Sequence, residues 1–168
     1  MREYTTSETL LANVPYMAMV LLGAATLAWG SGHSSWALTG AVSYGLYGIV
    51  GAFWIMAFVC PFCSFYGTRR CPCGYGAISA KIVRKGEHNC FSEKFKRHIP
   101  IIVPLWLIPV AYGGAALWFS FSWWLLALVS VFVVNSYVVL PVLSKKHCCS
   151  ECPQKDECPW MKAGAKGV

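Results

Sequence analysis

The chain has 168 residues, of which 57% are hydrophobic, 15% aromatic and 12% charged, with a mean hydropathy of +0.51 and a formal net charge of +7. An ordinary soluble domain carries about 25% charged and roughly 45–50% apolar residues. The composition therefore excludes a soluble globular fold, a disordered chain and a nucleic-acid-binding domain. It points to a small integral membrane protein, and the 9 cysteines exceed what helix packing in a membrane requires.

In chain order, a short N-terminal tail (residues 1–9) precedes two apolar stretches that form a transmembrane hairpin over 10–59. A cysteine-rich basic loop follows over 60–98, then a second hairpin over 99–143 and a cysteine-rich tail over 144–168. Each span meets the requirement of about 20 predominantly apolar residues. None contains Asp, Glu, Lys or Arg. The expected fold is all-α: a four-transmembrane-helix bundle with a cysteine-rich cytoplasmic loop and C-terminal tail.

Orientation follows from charge. The 14 Lys and Arg fall at Arg2, between Arg69 and Arg97, and between Lys145 and Lys166, while the two short loops near 30–35 and 120–122 carry none. With four spans, the charged segments share one side, which the positive-inside rule makes the cytoplasm. The expected location is the inner (plasma) membrane, multi-pass, with both termini cytoplasmic. Trp29, Trp36, Trp118, Trp123 and Trp124 cluster at the opposite ends of the spans, where indole rings favour the headgroup layer.

Within the spans, Ala41, Gly45, Gly48 and Ala52 place small residues on one face for close helix packing. Pro104 and Pro109 predict a kink in the third span. Ser130, Asn135, Ser136 and Tyr137 are expected to hydrogen-bond between helices in the fourth. No histidine pair is placed for bis-histidine haem. The spans also lack the ionisable residues of proton-coupled carriers.

All the cysteines lie on the charged side. One run holds Cys60, Cys63, Cys71 and Cys73; the other holds Cys148, Cys149, Cys152 and Cys158; Cys90 stands apart as an interfacial thiol. Structural disulfides are rare in a reducing cytoplasm, so clustered thiols there read as metal ligands or redox groups. Each run offers four thiolates to a structural zinc ion or an iron–sulfur cluster. Small loops that cannot bury a core of their own commonly need such a staple. Cys60, Cys71, Cys152 and Cys158 are each followed by Pro, a step that recurs in ferredoxin-type runs. The Cys149-x2-Cys152-x5-Cys158 spacing also resembles the auxiliary-cluster motif of radical SAM peptide-modifying enzymes, over about ten residues only, and the resemblance implies cluster binding.

The leading expectation is a membrane-bound electron-transfer subunit or accessory with iron–sulfur clusters, of the [4Fe–4S] type, ligated by those eight cysteines. If it is an enzyme, it is an oxidoreductase subunit. Its partners would be membrane lipids, an acidic soluble electron carrier attracted by the basic loop, and a membrane partner subunit or quinone; nucleic acid is not expected. One alternative is a zinc-stapled scaffold or assembly protein. Another is a soft-metal carrier, since the size and cysteine usage resemble small four-helix mercury and copper importers. The chain is also similar to membrane thiol oxidoreductases of the disulfide-forming type, which have four helices and a CxxC motif. Their reactive cysteines face the oxidising side, and the charge distribution here implies the reverse. The basic segments 77–85 and 90–98 are expected to lie in the membrane surface, with Ile78, Ile82 and Val83 on one apolar face and Phe91 and Phe95 on the other.

Overall fold

The computed structural model describes residues 3–30, 35–149, 152–156 and 158–162, without the side chains of His147, Cys148 and Lys162. Among the described residues the fold is all-α and contains no sheet. Helix α1 runs Thr6–Gly30 and α2 Ser35–Phe58, and the short α3 (Tyr75–Ile82) and α4 (Phe91–His98) follow in the central loop. Next come α5 (Pro104–Phe119), α6 (Trp123–Val134), the one-turn α7 (Leu140–Leu143) and α8 (Pro159–Lys162). Four helical stretches, Thr6–Gly30, Ser35–Phe62, His88–Phe119 and Trp123–Lys146, are long and apolar enough to cross a bilayer.

The chain divides into two compact units. One comprises Val14–Gly51 and Ile101–Pro141; the other comprises Met1–Asn13, Ala52–Pro100 and Val142–Val168. The first is the apolar one. Its core is Met19 of α1, Tyr44 of α2, Leu105 of α5 and Phe132 of α6, so all four long helices contribute. The buried stripe of α2 is Ala37, Ala41, Tyr44, Gly48 and Gly51 rather than the expected Ala41, Gly45, Gly48 and Ala52. The register differs because the Tyr44 ring, not a small residue, occupies the centre of the contact. Gly23 of α1 faces that ring, and Gly48 of α2 faces Val20.

One proline of this unit is matched by a tyrosine. Pro109 has no N–H, so the carbonyl of Leu105, four residues earlier, loses its helical donor. The Tyr44 hydroxyl supplies the missing bond, donating to that carbonyl at 2.6 Å. Tyr16 donates to the Gly48 carbonyl at 2.7 Å, and Tyr47 donates to the Ile101 carbonyl. In the fourth span, Asn135 donates to the Pro15 carbonyl at 3.0 Å and Tyr137 to that of Trp106 at 3.3 Å, as expected of its polar residues. Ser136, though buried, has no hydrogen-bond partner for its hydroxyl, and Ser130 is exposed.

The widened turn at Asn135–Val139 is a π-helix, in which the Leu140 N–H reaches back to the Asn135 carbonyl. Its cause is Pro141, which cannot donate to Tyr137 and whose ring crowds that carbonyl. Pro104 opens α5 at a position where a missing N–H costs nothing, after a 3-10 stretch over Ile99–Ile102. Trp36, Trp118, Trp123 and Trp124 are exposed, leaving their rings free for a headgroup layer.

A candidate thiol centre in the loop and tail

The second unit carries every cysteine. Its core is Val59, Phe91 and Cys158, with Ile55, Phe62, Cys63, Phe95, Trp160 and Met161 packed against it. Phe91 and Phe95 are therefore packed in this core, where the sequence suggested an apolar face turned to the membrane surface. Ile78 and Ile82 of α3 do remain exposed.

The first cysteine run is folded by consecutive turns. Pro61 starts a 3-10 turn over Cys60–Phe62, closed by the Cys63 N–H on the Cys60 carbonyl at 3.1 Å. A 3-10 turn has three residues, so positions i and i+3 stand on the same side; that is the reason the CxxC spacing brings Cys60 and Cys63 together. A second turn runs from Cys71 to Gly74, whose N–H bonds the Cys71 carbonyl at 3.0 Å. Gly74 has φ 73°, a left-handed conformation that other residues adopt only with strain. Gly76 is needed for a different reason. Its Cα lies against the Phe65 carbonyl, where a Cβ would collide with backbone, and its own carbonyl accepts the Gly67 N–H at 3.0 Å. Cys73 lies inside the Cys71–Gly74 turn, and its carbonyl accepts a bond from Asn13 Nδ2 at 3.0 Å.

The tail run is built the same way. The N–H of Cys152 bonds the Cys149 carbonyl at 3.2 Å, that of Lys155 the Cys152 carbonyl at 3.1 Å, and that of Cys158 the Lys155 carbonyl at 3.3 Å. Gln154 fastens this tail to the loop. Its Oε1 accepts the Ser64 N–H at 2.9 Å, and its Nε2 faces the carbonyls of Phe62 and His88, each at 3.5 Å. Lys94 adds a cation over the Phe62 ring at 5.4 Å, and Lys145 one over the Trp160 ring at 5.9 Å.

These turns bring five thiols from the two runs into one neighbourhood. Cys63 is within electrostatic reach of Cys152, Cys71 and Cys158, and Cys60 within reach of Cys71 and Cys63. Cys152 in turn senses Cys158 and Cys71. Burial pushes the Cys63 thiol up to about 11; the neighbouring thiols add to that rise and the Phe65 backbone N–H opposes it. Burial likewise raises Cys152, against the opposing backbone N–H of Gln154. None of the eight cysteines with described side chains is joined in a disulfide, and the Cys148 side chain lies outside the described residues.

The metal-based expectations are corrected at this point. Among the described residues, no group of three or more His, Cys, Asp or Glu is arranged to hold a metal ion. Iron–sulfur clusters of the [4Fe–4S] type, the zinc alternative, and with them the electron-transfer and soft-metal roles, therefore lack a site among the described residues. Chain spacing alone permitted convergence, but a tetrahedral thiolate site needs its sulfurs at about 2.3 Å from one centre. Here the thiols share a neighbourhood without sharing a centre. Of the eight cysteines the sequence offered as ligands, the structure brings Cys60, Cys63, Cys71, Cys152 and Cys158 into one neighbourhood; the sequence did not point to Gln154, the side chain that joins the two runs. The one sequence signal for it was an uncharged polar residue between two tail cysteines. No family model, curated protein or solved structure matches the chain.

Proposed function

We propose that this is a multi-pass protein of the inner (plasma) membrane whose cysteine-rich loop and tail, on the cytoplasmic side, work by reversible thiol–disulfide exchange. The observation that carries the reading is the gathering of Cys60, Cys63, Cys71, Cys152 and Cys158 as free thiols from segments some 90 residues apart. Two thiols of this set give up two electrons and two protons to a disulfide of the cytoplasm, which becomes two thiols, and one protein disulfide forms. Cytosolic disulfides are characteristically transient and catalytic or redox-sensing, so the reduced state is the resting one. The confinement of every Lys and Arg to the cysteine-bearing side supports the orientation. The exposed tryptophans and long apolar helices support lipid as the surrounding medium.

The test is made in cells. A brief oxidant pulse is followed by acid quench and alkylation, and the disulfides are mapped by mass spectrometry. Disulfides among the five thiols that disappear on recovery support the reading. Thiols that remain fully alkylatable throughout would reduce the cysteines to small apolar packing groups.

A further inference from the structure

We propose that the buried amide of Gln154 is a positioning residue that selects the loop-to-tail pair Cys63–Cys152 for disulfide formation over the within-loop pair Cys60–Cys63; this rests on the thiol-exchange reading above. Gln154 is only 8% exposed, and all its polar capacity is spent on loop main chain: the Ser64 N–H, the Phe62 carbonyl and the His88 carbonyl. Ser64 is the residue after Cys63, and Gln154 lies two residues after Cys152. The amide thus fixes the two cysteine backbones relative to each other with no intervening flexible segment. The Gln154 backbone N–H is also directed at the Cys152 sulfur. Within the loop, Cys60 and Cys63 are held by their own 3-10 turn and need no tail. The two pairs therefore compete for Cys63, and only one of them depends on Gln154.

The reaction balances with a low-molecular-weight disulfide such as glutathione disulfide. The Cys63 thiol gives up its proton to solvent as its sulfur attacks one sulfur of the reagent, the reagent's S–S bond breaks, and one glutathione leaves as a thiolate that takes up a proton. The Cys152 thiol in turn loses its proton as its sulfur attacks Cys63 in the mixed disulfide, releasing the second glutathione, which is protonated. The tail becomes covalently tied to the loop, and reduction by two thiols reverses each step. Fixing two groups in register raises their effective concentration, so the bonded pair wins by pre-organisation rather than by reactivity.

The experiment equilibrates the full chain in detergent with glutathione redox buffers, quenches it, and measures the ratio of Cys63–Cys152 to Cys60–Cys63 disulfide by mass spectrometry. Gln154→Ala should lower that ratio about tenfold, as expected for losing one or two net hydrogen bonds. Gln154→Glu keeps the acceptor for Ser64 but offers no donor to the two carbonyls, and it should fall between. Lys155→Ala, at an exposed position in the same turn, should leave the ratio unchanged. An unchanged ratio in Gln154→Ala and Gln154→Glu would overturn the positioning role while leaving thiol exchange intact. A wild-type chain that forms neither pair at any buffer composition would overturn the exchange reading itself. A non-specific loosening of the unit is recognised by an equal fall in both disulfides, and that outcome also counts against selection by Gln154.

Discussion

Replacing Tyr44 by Phe removes one oxygen from the apolar unit and should cost more than its size suggests. The Tyr44 hydroxyl donates to the Leu105 carbonyl at 2.6 Å, and Leu105 is 0% exposed. That carbonyl has no helical donor because residue 109 is Pro. The variant therefore loses a bond worth about 1 kcal/mol net and leaves a buried acceptor orphaned, at a penalty of about 1–3 kcal/mol. Interhelical hydrogen bonds in membranes average about 0.6 and reach about 1.7 kcal/mol, which places the expected loss near the top of that range, about 1.5 kcal/mol. The cause can be isolated with Pro109→Ala, which restores an N–H to the Leu105 carbonyl. In that background Tyr44→Phe should cost about 1 kcal/mol less. Unfolding titrations in mixed detergent micelles, run as a double-mutant cycle over the four chains, measure the difference. An equal cost of Tyr44→Phe in both backgrounds would refute the pairing of this proline with this tyrosine.

Three further outcomes follow from the second unit. Gly76→Ala drives a Cβ into the Phe65 carbonyl, which cannot swing aside as a side chain would, and should loosen the thiol centre by about 1–3 kcal/mol; faster alkylation of Cys63 and Cys158 is the readout. Cys63 holds its proton to about 11, against 9.0 for an unburied thiol. The raised value favours the fold at pH below 9, and that advantage is lost as the pH rises through 11. Iodoacetamide labelling of Cys63 should accordingly reach half its plateau rate near 11, and a midpoint at 9 would contradict its burial. Cys90, half-buried beside α4, should react with a membrane-impermeant maleimide in inverted vesicles and stay protected in right-side-out ones; the reverse pattern would overturn the proposed topology.

The spans were legible because length and apolarity alone decide whether a helix can cross a bilayer, and no tertiary contact can supply either. Finer points depended on contacts. The packing face of α2 is displaced from the expected one because Tyr44 has a carbonyl to reach, which small-residue spacing does not reveal. The π turn at Asn135–Val139 was in principle readable from Pro141, whose missing donor requires a wider turn before it. Phe91 and Phe95 have the pattern of a surface-lying helix; a hydrophobic stripe does not say whether lipid or protein will cover it, and here Cys158 and Trp160 take that place. The thiol centre was half legible. Cysteine spacing singled out the two runs that the structure folds as successive local turns, because turn length is a chain property. It could not predict whether the sulfurs converge on a point, because that depends on how the loop and tail are joined through Gln154.

The most direct test of the thiol-exchange account is a disulfide map of the purified full chain across a series of glutathione redox buffers, with each cysteine scored by differential alkylation. The account predicts a two-electron transition in which the bonds formed are drawn from Cys60, Cys63, Cys71, Cys152 and Cys158. Thiols that stay alkylatable across the whole series, or disulfides that join Cys90 as often as Cys63, would contradict it.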